Sequence, residues 1–245
     1  MAAPIPVSRL LFRLKGFFRR RTALAGMALV LGQRPTASAQ TPPQVPTAQI
    51  PIPATGRRIA DFIPPGYGIL PNGQATGDLN HDGRPDVALV LRHLDEDSTD
   101  HQTDSLPRQL LLLLRTAQGY SRAARSAQLI RCLHCDDNLN EPLSELTIEQ
   151  GVLTIKQAGA RKKRWQVSAR FQYRGGDFFL VRETRLSYHS NRFCGGAGRE
   201  LHQRDFLTGA YHEEKDSERC RPLVRKNGRH PPQPLRRLAD YVPEP

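Results

Sequence analysis

Residues 164–189, "RWQVSARFQYRGGDFFLVRETRLSYH", alternate apolar and polar side chains at nearly every step up to a glycine pair. Trp165, Val167, Ala169, Phe171 and Tyr173 share one side only if the chain is extended, because successive strand side chains point to opposite faces. A helix would scatter them. Gly175 and Gly176 supply the turn, so the stretch reads as a β-hairpin. "LTIEQGVLTIKQ" (146–157) repeats the device, with Leu146 and Ile148 before its glycine turn and Leu153 and Ile155 after it. In "RQLLLLLRTAQGYSRAARSAQLI" (108–130), the five successive leucines suit either a strand buried on both faces or a short buried helix. The "AQGY" turn favours strand, turn, strand.

Helix signals are confined to "RRIADFIP" (57–64), which Pro64 and Pro65 close. The expected fold is therefore mainly β, an antiparallel hairpin meander forming a sandwich-like or partial-propeller-like sheet. It carries one short N-terminal helix and proline-rich tails. A chain of 245 residues with 38% hydrophobic content can bury a core without a special stabiliser.

The ends differ from this centre. Residues 1–39 hold seven basic residues and no acid, with "TALAGMALVLG" (22–32) followed by "ASA" (37–39). This is the order of a secretory signal peptide cleaved after Ala39. Eleven apolar residues fall short of the roughly 20 that a spanning helix needs, so no transmembrane span is expected. Arg20 and Arg21 raise the twin-arginine route, although the rest of that motif is missing. Without residues 1–39 the formal charge falls from +12 to +5, so most of the basicity belongs to targeting. The remaining basic runs, "RKKR" (161–164) and "LRRL" (235–238), read as solvated strand ends or turns, and nucleic acid is not an expected partner. Residues 40–56 carry five prolines and read as an extended tether without a core. The expected domain runs from 57 to 242, with one helical turn near 235–241 and a tail at 243–245.

"GDLNHDGRPDVALVL" (77–91) places oxygen-bearing side chains at alternate positions and then turns into an apolar run. Calcium takes six to eight oxygens at about 2.3–2.6 Å, which a short loop can deliver from alternating side chains if its backbone curls. Asp78, Asn80 and Asp82 supply the first oxygens, Gly83 permits the bend, Arg84 offers its carbonyl, and Asp86 closes the circle directly or through water. Leu89 stands where an EF-hand requires its bidentate glutamate, and the flank is a strand. The competing reading is an Asx-rich turn that caps itself without metal.

The pattern D-x-[DN]-x-D-G-x-x-D followed by an aliphatic strand resembles the FG-GAP/VCBS-type calcium-turn repeats, and residues 78–86 match each defining position. That resemblance covers about residues 60–92. It implies a calcium loop joining two strands of a blade, with Asp78, Asn80, Asp82, Arg84 and Asp86 as ligands. One copy does not make a propeller, which needs about four blades. The chain as a whole resembles uncharacterised secreted bacterial proteins bearing a single such motif.

Cys132, Cys135, Cys194 and Cys220 form an even set in an exported chain, so two disulfides are expected. The expected pairs are Cys194 with Cys220 and Cys132 with Cys135. "CLHC" (132–135) also fits a redox or zinc motif, but "DDNLNEP" is a poor helix start and the later cysteines lack close pairing. Asp205, Glu213 and Glu214 are the candidates for a hydrolase carboxylate pair. The functional expectation is an exported envelope binding or structural module, stabilised by calcium, whose partner is an envelope protein or a glycan. An envelope enzyme, either a CxxC oxidoreductase or a glycan hydrolase, is the alternative.

Overall fold

The computed structural model describes residues 50–97, 107–133, 140–160, 163–189 and 196–244, all within the compact unit Ala48–Pro245. The expected signal peptide, Cys135 and Cys194 lie outside the described residues.

The fold is mainly β, with two antiparallel sheets. The first contains β1 (Thr55–Gly56), β2 (Tyr67–Gly77), β3 (Asp86–His93), β4 (Gln109–Thr116) and β5 (Gly119–Ser126), in the order β1-β5-β4-β3-β2. The second runs β12-β11-β10-β9-β8-β7-β6, built from β6 (Leu143–Glu149), β7 (Val152–Ala160), β8 (Arg164–Arg174), β9 (Asp177–His189), β10 (Ala197–Asp205), β11 (Ala210–Asp216) and β12 (Pro222–Arg229). Apart from β1, each strand pairs with its neighbour in sequence. Three single turns of 3-10 helix complete the described elements: η1 (Ile59–Phe62), η2 (Leu94–Asp97) and η3 (Leu238–Asp240).

The hairpins expected at 146–157 and 164–189 are present as β6–β7 and β8–β9, with Leu146 opposite Ile155 and Ile148 opposite Leu153. The leucine run is a strand, and its burial explains the missing alternation. Leu110 and Leu112 join Ala88, Val90, Leu153, Phe171 and Phe178 in the larger core. Leu111 and Leu113 face the other way, into a second core with Val87, Leu89, Leu91 and Phe62. Both faces of the first sheet are therefore covered, which is why β3 and β4 are nearly continuously apolar.

Two expectations need correction. The segment 57–64 forms a single 3-10 turn rather than an α-helix. The Asp61 carboxylate accepts the N–H groups of Arg57 and Arg58, Phe62 anchors the turn in the second core, and Ile63 is already extended ahead of the two prolines. The tether drawn at 40–56 gives its last residues to the fold. Ile52 is buried, β1 pairs with β5, and Arg122 and Arg125 donate to the carbonyls of Ile52 and Ile50. At the other end Leu238 and Tyr241 belong to the larger core, the carbonyl of Pro243 accepts from Arg131, and Glu244 pairs with Arg185. The folded unit thus extends past both drawn boundaries.

Candidate metal site and its surroundings

The head of the β2–β3 hairpin curls because its own side chains take up its backbone donors. Asp78 accepts the N–H of Asp82 at 3.2 Å and that of Gly83 at 2.8 Å. Asn80 Oδ1 accepts the Asp82 N–H at 3.1 Å, and Asp82 Oδ1 accepts that of Arg84 at 2.9 Å. The amide of Asn80 donates to Asp82 Oδ2 at 3.1 Å. Gly83 sits at φ +78°, in the left-handed region where a glycine avoids the Cβ penalty. Asp82, Gly83 and Arg84 are exposed.

Asp86 behaves differently. Its carboxylate is completely buried, with Oδ2 accepting the N–H of Leu79 and Oδ1 that of Arg115 on β4, both at 2.8 Å. Burial pushes its carboxyl above the usual range, while those two donors favour the charged form and pull it back. Asp86 therefore pins the loop to the neighbouring strand.

The loop also touches the second sheet. A Cβ on Gly77 would lie 2.6 Å from Ile148 Cγ2 and 2.8 Å from the Ile148 carbonyl oxygen, and one on Gly151 would lie 2.3 Å from Nε2 of His81. The β2–β3 head and the β6–β7 turn can pack this closely only because glycine stands at both contacts.

Among the described residues, no group of three or more His, Cys, Asp or Glu side chains is gathered as a metal cluster. The donors at 78–86 are nonetheless all oxygen, and each carboxylate oxygen that accepts one N–H keeps a second lone pair. That chemistry suits a hard cation such as calcium.

Sequence reasoning missed a buried ion network. "LDEDSTDHQTD" (94–104) reads as a solvated acidic loop, yet Glu96 is 3% exposed and Arg108 is 1% exposed. Arg108 Nε donates to Glu96 at 2.8 Å, and its two terminal nitrogens donate to Glu141 at 2.6 and 2.7 Å. Glu96 also accepts the N–H of Leu133 at 2.9 Å. The charges were visible in sequence, but their convergence was not.

Neither Cys132 nor Cys220 is a free thiol. Cys132 is buried, and Cys220 sits at φ +56°. The three hydrolase candidates are dispersed. Glu213 and Glu214 are consecutive in β11 and face opposite sides. Glu214 pairs with Arg199 and His212, and Asp205 pairs with Arg182 while accepting two turn N–H groups. No helix among the described residues is long and apolar enough to cross a membrane. Compared with family models, curated proteins and solved structures, the chain matches none.

Proposed function

We propose that this chain is an exported, non-enzymatic binding or structural module of the cell envelope, stabilised by calcium in the loop 78–86. The supporting observation is the loop's position. It is pinned by buried Asp86 to β4 and wedged against the β6–β7 turn, so whatever orders it also braces the contact between the two sheets. The calcium ligands in this reading are Asp78, Asn80, Asp82, the carbonyl of Arg84 and Asp86, with water completing the shell. Carboxylates clustered without a cation repel by about 1 kcal/mol or more per close pair near the surface, and the cation relieves this.

Thermal melting in calcium and in chelator tests the proposal. A ligand that binds only the folded state stabilises it by about 2.7 kcal/mol at a hundredfold excess over Kd. Asp82→Ala should abolish that increment, so that its melting in calcium and in chelator coincides. Identical wild-type melting in both conditions reduces the loop to a self-capped turn and removes the proposal's main support.

Export and oxidation belong to the same reading. Protein recovered from the periplasm or medium should begin at Gln40. Peptide mapping without reductant should then join Cys194 to Cys220 and Cys132 to Cys135. An intact Met1 form in the membrane fraction, or a peptide linking residues 132–135 to either late cysteine, counts against it.

A further inference from the structure

The outer face of the second sheet carries a basic groove with no role in the loop's chemistry. Cross-strand register places Ser168 and Arg170 of β8, Arg182 and Thr184 of β9, and Gln203 of β10 on one face. The opposite face of β8 presents Ala169 and Phe171 to the larger core. These five residues, together with Arg204, Asp205 and the first three residues of β11, line a depression of about 480 Å³. Ligand sites usually occupy about 300–1,000 Å³, so this one has room for a sugar of one or two units.

Arg170 and Arg182 stand directly opposite each other across β8 and β9. Like charges in that relation destabilise a sheet pair. Asp205, also on the groove's rim, neutralises Arg182 through a contact of 2.8 Å. Arg170 is exposed and has no ion-pair partner among the described residues. The groove thus holds the uncompensated Arg170 beside the paired Arg182, with Arg204 and the Glu214-paired His212 also on its wall and the neutral hydroxyl and amide groups of Ser168, Thr184 and Gln203 between them. A guanidinium matches a carboxylate through two parallel N–H donors, and the neutral groups exchange hydrogen bonds with hydroxyls.

We infer that this groove binds an acidic saccharide, its carboxylate held between Arg170 and Arg182 and its hydroxyls by Ser168, Thr184 and Gln203. The inference rests on the binding-module reading for its biology and not on calcium for its chemistry. The two therefore fail separately when titrations are run both in calcium and in chelator.

The test is isothermal titration calorimetry of the full-length chain with digalacturonate, a neutral digalactoside and inorganic sulfate. Digalacturonate should bind, the neutral sugar should bind at least tenfold more weakly, and sulfate should also fall at least tenfold short of the acidic sugar. Arg170→Gln should weaken digalacturonate binding at least tenfold without lowering the melting temperature, and Arg170→Lys should recover only part of the loss. Absence of digalacturonate binding by wild type in both conditions overturns the inference, as does undiminished binding by Arg170→Gln. Equal affinity for sulfate and digalacturonate overturns the saccharide assignment, because the site would then read bare charge. Binding that is equal in calcium and in chelator supports the inference even if the melting experiment removes the calcium proposal.

Discussion

Arg108 shows how much a single residue can hold in place. Burial pulls its guanidinium down, but the carboxylates of Glu141 and Glu96 outweigh that and hold it above its ordinary value. Removing one partner of a buried ion pair leaves an uncompensated charge and costs about 3–5 kcal/mol, whereas exposed pairs are worth about 0–1 kcal/mol. Arg108→Ala should therefore lose about 3–5 kcal/mol in urea unfolding. Arg108→Met with Glu96→Gln should recover part of it, because the double change removes the two fully buried charges together and leaves only the part-exposed Glu141 unpaired. A loss below about 1 kcal/mol for the alanine variant would mean that water reaches Glu96 and the network is a surface feature. At this scale the sequence was readable where chemistry is local. Asp78, Asn80, Asp82 and Gly83 interact within one turn, so their spacing carries the information. Arg108, Glu96 and Glu141 do not announce themselves, since charged residues at such separations are usually solvated.

Among the elements, β10, β11 and β12 were the least legible. Residues 195–219, between Cys194 and Cys220, read as an excursion in sequence, because most side chains on both faces of these strands are polar or charged. No period of two appears when neither face is apolar. The cross-strand pairs Lys215–Glu200, Arg199–Glu214 and Arg225–Asp216 replace apolar contacts there. His212 lies between two acceptors, with Asn227 Oδ1 at 2.6 Å and Glu214 Oε1 at 2.9 Å, and these raise its pKa above the usual 6.5. The Arg199 guanidinium and His212 hold Glu214 down, at about 2. The signs follow from linkage. The raised His212 stabilises fully below 6.5 and loses its contribution as pH rises through the folded value. The depressed Glu214 stabilises fully above 4.5 and loses its contribution as pH falls toward about 2. The strands should thus be most firmly held between those limits. Limited proteolysis should cut within 197–229 faster at about pH 8.5 than at about pH 5.5 after correction for protease activity, and His212→Gln should erase the difference. Equal rates in wild type would show that the imidazolium adds nothing to the arm.

For the whole molecule, the class of fold was legible because the amphipathic hairpins repeat their pattern, whereas the boundaries were not. Five prolines made residues 40–56 look like spacer, yet two isoleucines in that stretch help close the outer face of the first sheet. Composition averages over a segment, and burial is decided by single side chains. A chain beginning at Arg57 should be less stable than one beginning at Gln40 by about 2–5 kcal/mol, since burying an isoleucine is worth about 1.5–3 kcal/mol. It should also bind more of a hydrophobic dye, through the uncovered faces of Leu89, Leu111 and Leu113. Matching unfolding curves for the two chains would return the segment to the status of a tether.

The nearest-neighbour strand order also governs how the chain can assemble. Every pairing of the first sheet, β1 with β5 included, lies within residues 55–126, and every pairing of the second lies within 143–229. Apart from β1 with β5, which closes a long loop, antiparallel neighbours close short ones, so the entropic barrier to those pairings is small. A chain that emerges N-terminus first can complete its first sheet before the second exists. Until β6 and β7 arrive, Ala88, Val90, Leu110 and Leu112 face solvent, and that half-built intermediate is the species most prone to association. Docking of one finished sheet on the other, at the contact where the acidic loop meets the β6–β7 turn, is the step that removes this exposure.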